Sequence, residues 1–294
     1  MPPSPAVTAD LDHLVRLLDL EPIEENIFRG TSPQDDRQRV FGGQVAGQAL
    51  VAAGRTVERG LVHSLHAYFL RPGDTRVPIL YEVDRIRDGR SFTTRRVVAI
   101  QHGLPIFNLS ASFHIDESGF DHQRPMPEVP DPESLPTWPE LASARPEIFR
   151  RILERPQPID WRYIDIPSAL LDSPKPPAQR VWLRADGRLP DDPLLHACVV
   201  AYASDSTLLD VALLPHGVTW HNGGISGASL DHAMWFHDRF RADEWLLYDQ
   251  ESDIMRGARG LTRGCIYTRD GRLVVSVVQE GLMRPGRPRP EAAG

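Results

Sequence analysis

The apolar positions of the chain twice follow the same course, one helical run and then several alternating segments. Leu11, Leu14, Val15 and Leu18 share one face at helical spacing, so residues 9 to 19 are expected to form a short amphipathic helix with Thr8 as its cap. A strand-like stretch, IEENIFRGTSP, comes next. Residues 40 to 57, VFGGQVAGQALVAAGRTV, are apolar but dense in glycine and alanine. A glycine costs a helix about 1 kcal/mol relative to alanine. Several in one apolar helix therefore imply that another backbone comes close, as a wrapping curved sheet would. Four β-rich segments follow at 61–70, 77–87, 92–101 and 105–114, separated by the turn sequences RPGD, RDGR and QHGL. The first half reads as a helix followed by an antiparallel meander.

Residues 116 to 158 break the pattern. Seven prolines fall between 125 and 146, which excludes regular strands and favours an extended linker with one short helix near PEIFRRILE. We divide the chain there: residues 1–115, a linker over 116–158, and residues 159–294. Beyond the linker, IDWRYIDI and QRVWLRA read as strands. The stretch 192–208, DPLLHACVVAYASDSTL, reads as one buried helix, capped by Asp192, with Pro193 in its first turn and Asp205 near its end. A loop, PHGVTWHNGGISGA, leads to SLDHAMWF, EWLLYDQES, GLTRGCIYTR and RLVVSVVQEGLM. At an offset of 166 residues, His66-Ala67-Tyr68-Phe69 falls on His232-Ala233-Met234-Trp235, Leu80 on Leu246, Arg90 on Arg256 and Ile100 on Ile266. The element order matches too, which points to a duplication.

Composition narrows the class. A chain of 294 residues suits two domains of about 110 to 150 residues. A hydrophobic share of 41% with 25% charged residues is that of a soluble globular protein, and a net charge of −7 argues against a nucleic-acid surface. Cys198 and Cys265 sit in apolar runs, so they are expected to be buried free thiols. No secretory signal is visible, no apolar run approaches the roughly 18 residues of a membrane span, and the final RPEAAG is not the peroxisomal tripeptide. The expected placement is the cytoplasm, away from membranes.

Residue chemistry alone leaves several readings open. Asp205 reads as a solvated helix-end carboxylate and Ser229 as a strand-start hydroxyl. Gln279, inside VVSVVQEGLM, is a buried amide that must find partners. Free N–H groups at Gly42-Gly43-Gln44 suit a carbonyl oxygen or a phosphate, with close helix packing as the rival explanation. His63 is an alternative base, with a half-buried strand histidine as the rival reading, and Arg90, Arg95 and Arg96 are candidates for phosphate contacts, with a solvated strand face as the default. The GGISG stretch lacks the spacing and strand–turn–helix context of a nucleophile elbow. His63 and His66 point to opposite faces of a strand, and His221, His232 and His237 lack a ligand spacing, so no metal site is expected.

The stretches VFGGQVAGQAL, LVHSLHAYFLRPGD, RIRDGRSFTTRRVVAIQHGLPIF, ASLDHAMWFH, WLLYDQES and VVQEGLMR resemble the acyl-CoA thioesterase II family, from about residue 20 to 285. The resemblance implies an α+β double hotdog: two repeats, each a long helix wrapped by an antiparallel sheet, the sheets joined edge to edge. It also implies acyl-CoA as substrate, no cofactor, and a water-activating set of Asp205, Ser229 and Gln279. The first repeat departs from that set, with Ser64 or Leu65 near the Ser229 position, Ala111 near that of Gln279, and Ala52-Ala53-Gly54 at the helix end. One set per chain is therefore expected. Such residues suit the chemistry: a thioester needs an oriented water, a base and oxyanion donors, and its thiolate leaves without much help. The alternative is a non-catalytic acyl-CoA-binding or regulatory hotdog protein. A hydratase would want a paired Asp and His that neither repeat offers. An exposed sheet edge or face is expected to pair the chain into a homodimer or higher homo-oligomer.

Overall fold

The computed structural model describes residues 9–33, 38–170, 173–220 and 225–285. Helix α1 (Ala9–Leu18) buries Leu11, Leu14 and Leu18; its proposed cap, Thr8, lies outside the described residues. A small hairpin, β1 (Glu21–Glu24) and β2 (Ile27–Gly30), leads to helix α2 (Gly42–Gly54) and the meander β3 (Leu61–Phe69), β4 (Ile79–Asp88), β5 (Phe92–Gln101) and β6 (Leu104–His114). After the Pro-rich segment and its helices α3 (Trp138–Ala142) and α4 (Pro146–Leu153), the course repeats. Strands β7 (Ile159–Tyr163) and β8 (Ala178–Ala185) precede helix α5 (Pro193–Ser204) and a 3-10 stretch at Leu208–His216. Then come β9 (Ile225–Ser229), β10 (Asp231–Phe236), β11 (Leu246–Arg256), β12 (Arg259–Thr268) and β13 (Leu273–Pro285).

Among the described residues all strands belong to one antiparallel sheet of 13 strands in the order β1-β2-β4-β5-β6-β3-β10-β13-β12-β11-β8-β7, with β9 added on β13. The halves meet where β3 pairs with β10, from Asp231 opposite Tyr68 to Trp235 opposite Ser64. Two sheets thus join edge to edge, each wrapped around its own helix, which is the expected α+β double hotdog. The apolar core fills the space between sheet and helices.

The glycines of α2 have a more specific partner than a curved sheet. Helices α2 and α5 lie antiparallel, with Gly43 against Tyr202 at one end and Gly54 against Leu194 at the other. A Cβ on Gly43 would run into the Tyr202 carbonyl oxygen, and one on Gly47 would lie 3.2 Å from that of Cys198. The small residues therefore serve helix-to-helix packing between the two halves.

The repeat register also differs from the expected offset of 166. Leu80 is exposed while Leu246 is fully buried, and His66 faces outward while His232 faces the core. A slip of one residue puts every strand side chain on the opposite face. Moving the match by one residue sets Tyr81 on Tyr248, both fully buried, and Ala99 on Ile266. Arg95 is another correction. It is a buried arginine rather than a phosphate contact, donating to Thr56 Oγ1 at 2.8 Å and to the Thr56 carbonyl at 2.9 Å, and pairing with Asp88. It fastens the end of α2 to the sheet. Arg96 pairs with Asp84 on the surface, and Arg90 is exposed.

The Pro-rich segment forms no strand, as expected, but it straps down the outer face of the second sheet. Met126, Val129 and Leu135 pack on Trp182, Trp245, Leu247 and Tyr267, and Trp182 Nε1 donates to the Pro130 carbonyl at 2.9 Å. The first of its two helices, α3, starts with a capping box between Thr137 and Glu140. The helical run Pro193–His216, made of α5 and the 3-10 stretch, spans 24 residues and has a mean hydropathy of 1.5 over an 18-residue window, so by length and composition alone it could cross a membrane. Of that window 78% is buried inside the fold, so the run belongs to the core of the second half. Cys198 within it is a buried free thiol, while Cys265 is free but half-buried.

Candidate active site

Helix α5 starts where Asp192 Oδ1 accepts from the Leu194 N–H at 2.9 Å, with Pro193 in the first turn. It ends at Asp205, its C-terminal cap residue. Strand β13 carries Gln279, fully buried and facing the same end of α5. Between β9 and β10 the chain breaks step at Leu230, where its N–H donates to the Glu280 carbonyl and the Glu280 N–H donates to Asp231 Oδ1 at 2.7 Å. That step leaves Ser229, opposite Gly281 on β13, beside the helix end.

These three side chains meet. Asp205 Oδ1 accepts from Ser229 Oγ at 3.1 Å and from Gln279 Nε2 at 2.5 Å. The Gly43 backbone N–H, at the start of α2, donates to the same carboxylate. Gly42 touches it too: a Cβ there would lie 2.6 Å from Asp205 Oδ2. The carboxylate thus sits between the C-terminal end of α5 and the N-terminal end of α2, whose dipoles oppose one another. Burial decides the balance. It pushes the Asp205 pKa up to about 6, although the Gln279, Ser229 and Gly43 hydrogen bonds pull it down.

Asp205, Ser229 and Gly42 lie in the wall of a cavity of about 510 Å³ built from both halves, with Gln279 behind the carboxylate. Phe41, Val45 and Phe69 line it from the first half, Leu209 and Trp220 from the second, with Arg39 and Arg71 at its edge. Asp210 also lines it. This aspartate within the apolar run LLDVALL carried a signal that sequence reasoning did not use. Its Oδ2 accepts from Ser168 Oγ at 2.7 Å and its Oδ1 from Trp220 Nε1 at 2.6 Å, and burial raises its pKa to about 6. Both oxygens are therefore engaged in holding Trp220 and the segment at Ser168.

The remaining candidates are elsewhere. Gln44 donates to the Thr31 carbonyl at 3.1 Å and to Ser32 Oγ at 3.0 Å, which ties α2 to the chain that follows β2. His63 lies at the other end of β3 from Phe69, with Nε2 2.8 Å from Ser112 Oγ and its ring edge-on to Phe92. Neither reaches Asp205. In the first half, α2 ends not in a carboxylate but at Arg55, whose guanidinium binds the Leu20 carbonyl and Asp19. Ala111, opposite Leu65, stands where Gln279 stands opposite His232. Among the described residues no group of three or more His, Cys, Asp or Glu is arranged to hold a metal ion.

Comparison with known proteins follows the same layout. Residues 154–282 match the family described as acyl-CoA thioesterase, and residues 31–114 its N-terminal domain. The chain is 44% identical over 282 residues to acyl-coenzyme A thioesterase 8 of Homo sapiens, covering 91% of this chain and 88% of that one. It resembles the crystal structure of an acyl-CoA thioesterase II from Mycobacterium marinum at 46% identity and a TM-score of 0.76, over 96% of this chain and 99% of that one. A hot dog fold protein of unknown function from Alicyclobacillus acidocaldarius, 20% identical, covers 95% of this chain and 99% of its own with a TM-score of 0.77.

Proposed function

This chain belongs to the acyl-CoA thioesterase family and hydrolyses acyl-CoA thioesters; we propose that it does so by direct attack of a water whose proton passes to Asp205. The observation that supports this reading is the convergence of Ser229, Gln279 and the Gly43 N–H on one carboxylate in a cavity wall. Asp205, with a pKa near 6, is mostly ionised at neutral pH yet basic enough to take a proton. Ser229 and Gln279 hold the carboxylate, and Ser229, which lines the cavity, orients the water without competing for its proton. As the water oxygen bonds to the carbonyl carbon, the Gly42 backbone in the same wall suits the oxyanion. The C–S bond then breaks, and the proton on Asp205 can follow to the thiolate, whose parent pKa is about 8.5. No step requires a metal or a cofactor.

Asp205 works as a base only when ionised, so activity should fall as pH drops through its pKa. Measured on a simple thioester that lacks the titrating phosphates of coenzyme A, kcat/KM is expected to be level above about pH 7 and to fall below an inflection near 6. A profile flat down to pH 4.5 would remove Asp205 from the role of base.

We further propose two repeats divided by the segment at 116–158, with the catalytic set in the second alone. Tyr68 on β3 and Leu80 on β4 stay exposed on the outer face of the first sheet, over which no strap like that of the second runs among the described residues. A second copy of the chain suits that face, and sedimentation equilibrium giving a monomer at all concentrations would contradict it. Free Cys198 and Cys265 fit a reducing cytoplasm, with a place in fatty acid metabolism.

A further inference from the structure

Gln279 can hold the Asp205 carboxylate only through its NH2 end. Turned over, the amide would set its Oε1 lone pairs against the carboxylate. Something must therefore hold the other end of the amide. Gln279 Oε1 and His232 Nδ1 are both fully buried, and each is without a hydrogen-bonding partner at ordinary hydrogen-bond geometry. The two residues lie on paired strands, one step beyond the Ala233–Val278 pair, and both face inward. The Gln279 side chain acts on the His232 ring in the sense that favours a proton there, as a nearby accepting oxygen would. On its far side, His232 Nε2 is 2.8 Å from Ser204 Oγ, the residue just before Asp205. The line Ser204–His232–Gln279–Asp205 thus leaves α5 and returns to it one residue later.

Resting on the proposed role of Asp205 and Gln279, we propose that His232 is a positioning residue. Neutral and protonated on Nδ1, it donates to Gln279 Oε1 and keeps the amide's NH2 end on Asp205. For this, Nε2 must accept from the Ser204 hydroxyl, in competition with the Ala201 carbonyl at 3.0 Å. Burial lowers the His232 pKa to about 4, which keeps the ring neutral at working pH. The opposite tautomer would invite the flipped amide, tolerable only with Asp205 protonated. His232 never touches substrate; it acts through Gln279. The other titratable groups around Asp205 are Tyr248 on β11, Asp231 on β10, Glu280 on β13, Asp210 on the 3-10 stretch, and Arg39 and Arg71 at the cavity edge.

The test compares three variants in the thioester assay. His232→Leu, which removes the donor, is expected to lower kcat roughly 10- to 100-fold with KM within about twofold, and to move the acid limb up, because the ionised Asp205 loses a donor. His232→Asn places an amide N–H near the Nδ1 position and is expected to recover most of the rate and the limb. His232→Gln, which reaches instead toward Ser204, is expected to recover neither. Wild-type kcat and limb in His232→Leu would overturn the inference, as would recovery by Gln but not by Asn. If His232→Leu does not fold, the Asn and Gln variants decide it alone. Gln279→Ala run beside them separates the two levels. If that variant is unimpaired, the catalytic reading of Gln279 fails. If it is impaired while the His232 variants are not, only the positioning role fails. Within the Gln279→Ala background, His232→Leu should cost nothing more, and a further loss of kcat would make its role merely structural and overturn the inference.

Discussion

Replacing Asp205 by alanine is expected to lower kcat for acyl-CoA hydrolysis by roughly 10²–10⁴-fold, the range for a lost general base. The loss should not come from unfolding. The carboxylate is the cap residue of α5, where no side-chain bond is needed to end the helix, and Arg55 ends α2 in its place in the first half. Burial raises its pKa to about 6, so the folded state disfavours its ionised form. The stability tied to its protonated form is full below about pH 4 and is lost as pH rises through about 6. The alanine variant should therefore gain on wild type in thermal melts across that window, while the thiol-release assay shows the rate collapse. Wild-type turnover in Asp205→Ala would end the assignment.

The second large effect is expected at Gly43. Alanine there meets the Tyr202 carbonyl and forces α2 and α5 apart at the end where Asp205 sits. Overpacking of this kind costs about 1–3 kcal/mol, seen as a melting temperature lower by several degrees. The same shift moves the Gly43 N–H off the Asp205 carboxylate, and misplacement of about 1 Å can cost roughly 10²-fold in rate. Gly47→Ala is the milder comparison, since its added carbon would lie 3.2 Å from the Cys198 carbonyl oxygen. A Gly43→Ala chain that melts and turns over like wild type would contradict the packing described here.

What the amino-acid pattern revealed and what it hid have physical reasons. Asp192 and Pro193 announced α5, and the turn sequences announced the meander, because caps and turns are local chemistry. Asp205, Ser229 and Gln279 were named by family resemblance; on residue chemistry alone a helix-end aspartate and a strand serine are ordinary. Their meeting depends on the step at Leu230 and on α2 reaching α5, which are tertiary events. The repeat offset went wrong by one residue because a few identical letters outweighed burial, and in strands burial alternates. Tyr81 and Tyr248 would have corrected it. Arg95 looked like a solvated strand arginine because nothing local shows that Thr56 and Asp88 wait for it. His232 read as one of several scattered histidines until the unmatched atoms of His232 and Gln279 were seen together.

The central claim is that water, not Asp205 itself, attacks the thioester. Hydrolysis of a labelled-solvent single turnover, with enzyme in excess over acyl-CoA in H2 18O, tests it directly. Attack by water held at Asp205 puts the heavy oxygen into the free acid of the first turnover and none into the protein. Unlabelled acid, with the heavy oxygen recovered in the Asp205 side chain, would mean that the carboxylate attacks first and forms an anhydride, and would contradict the account.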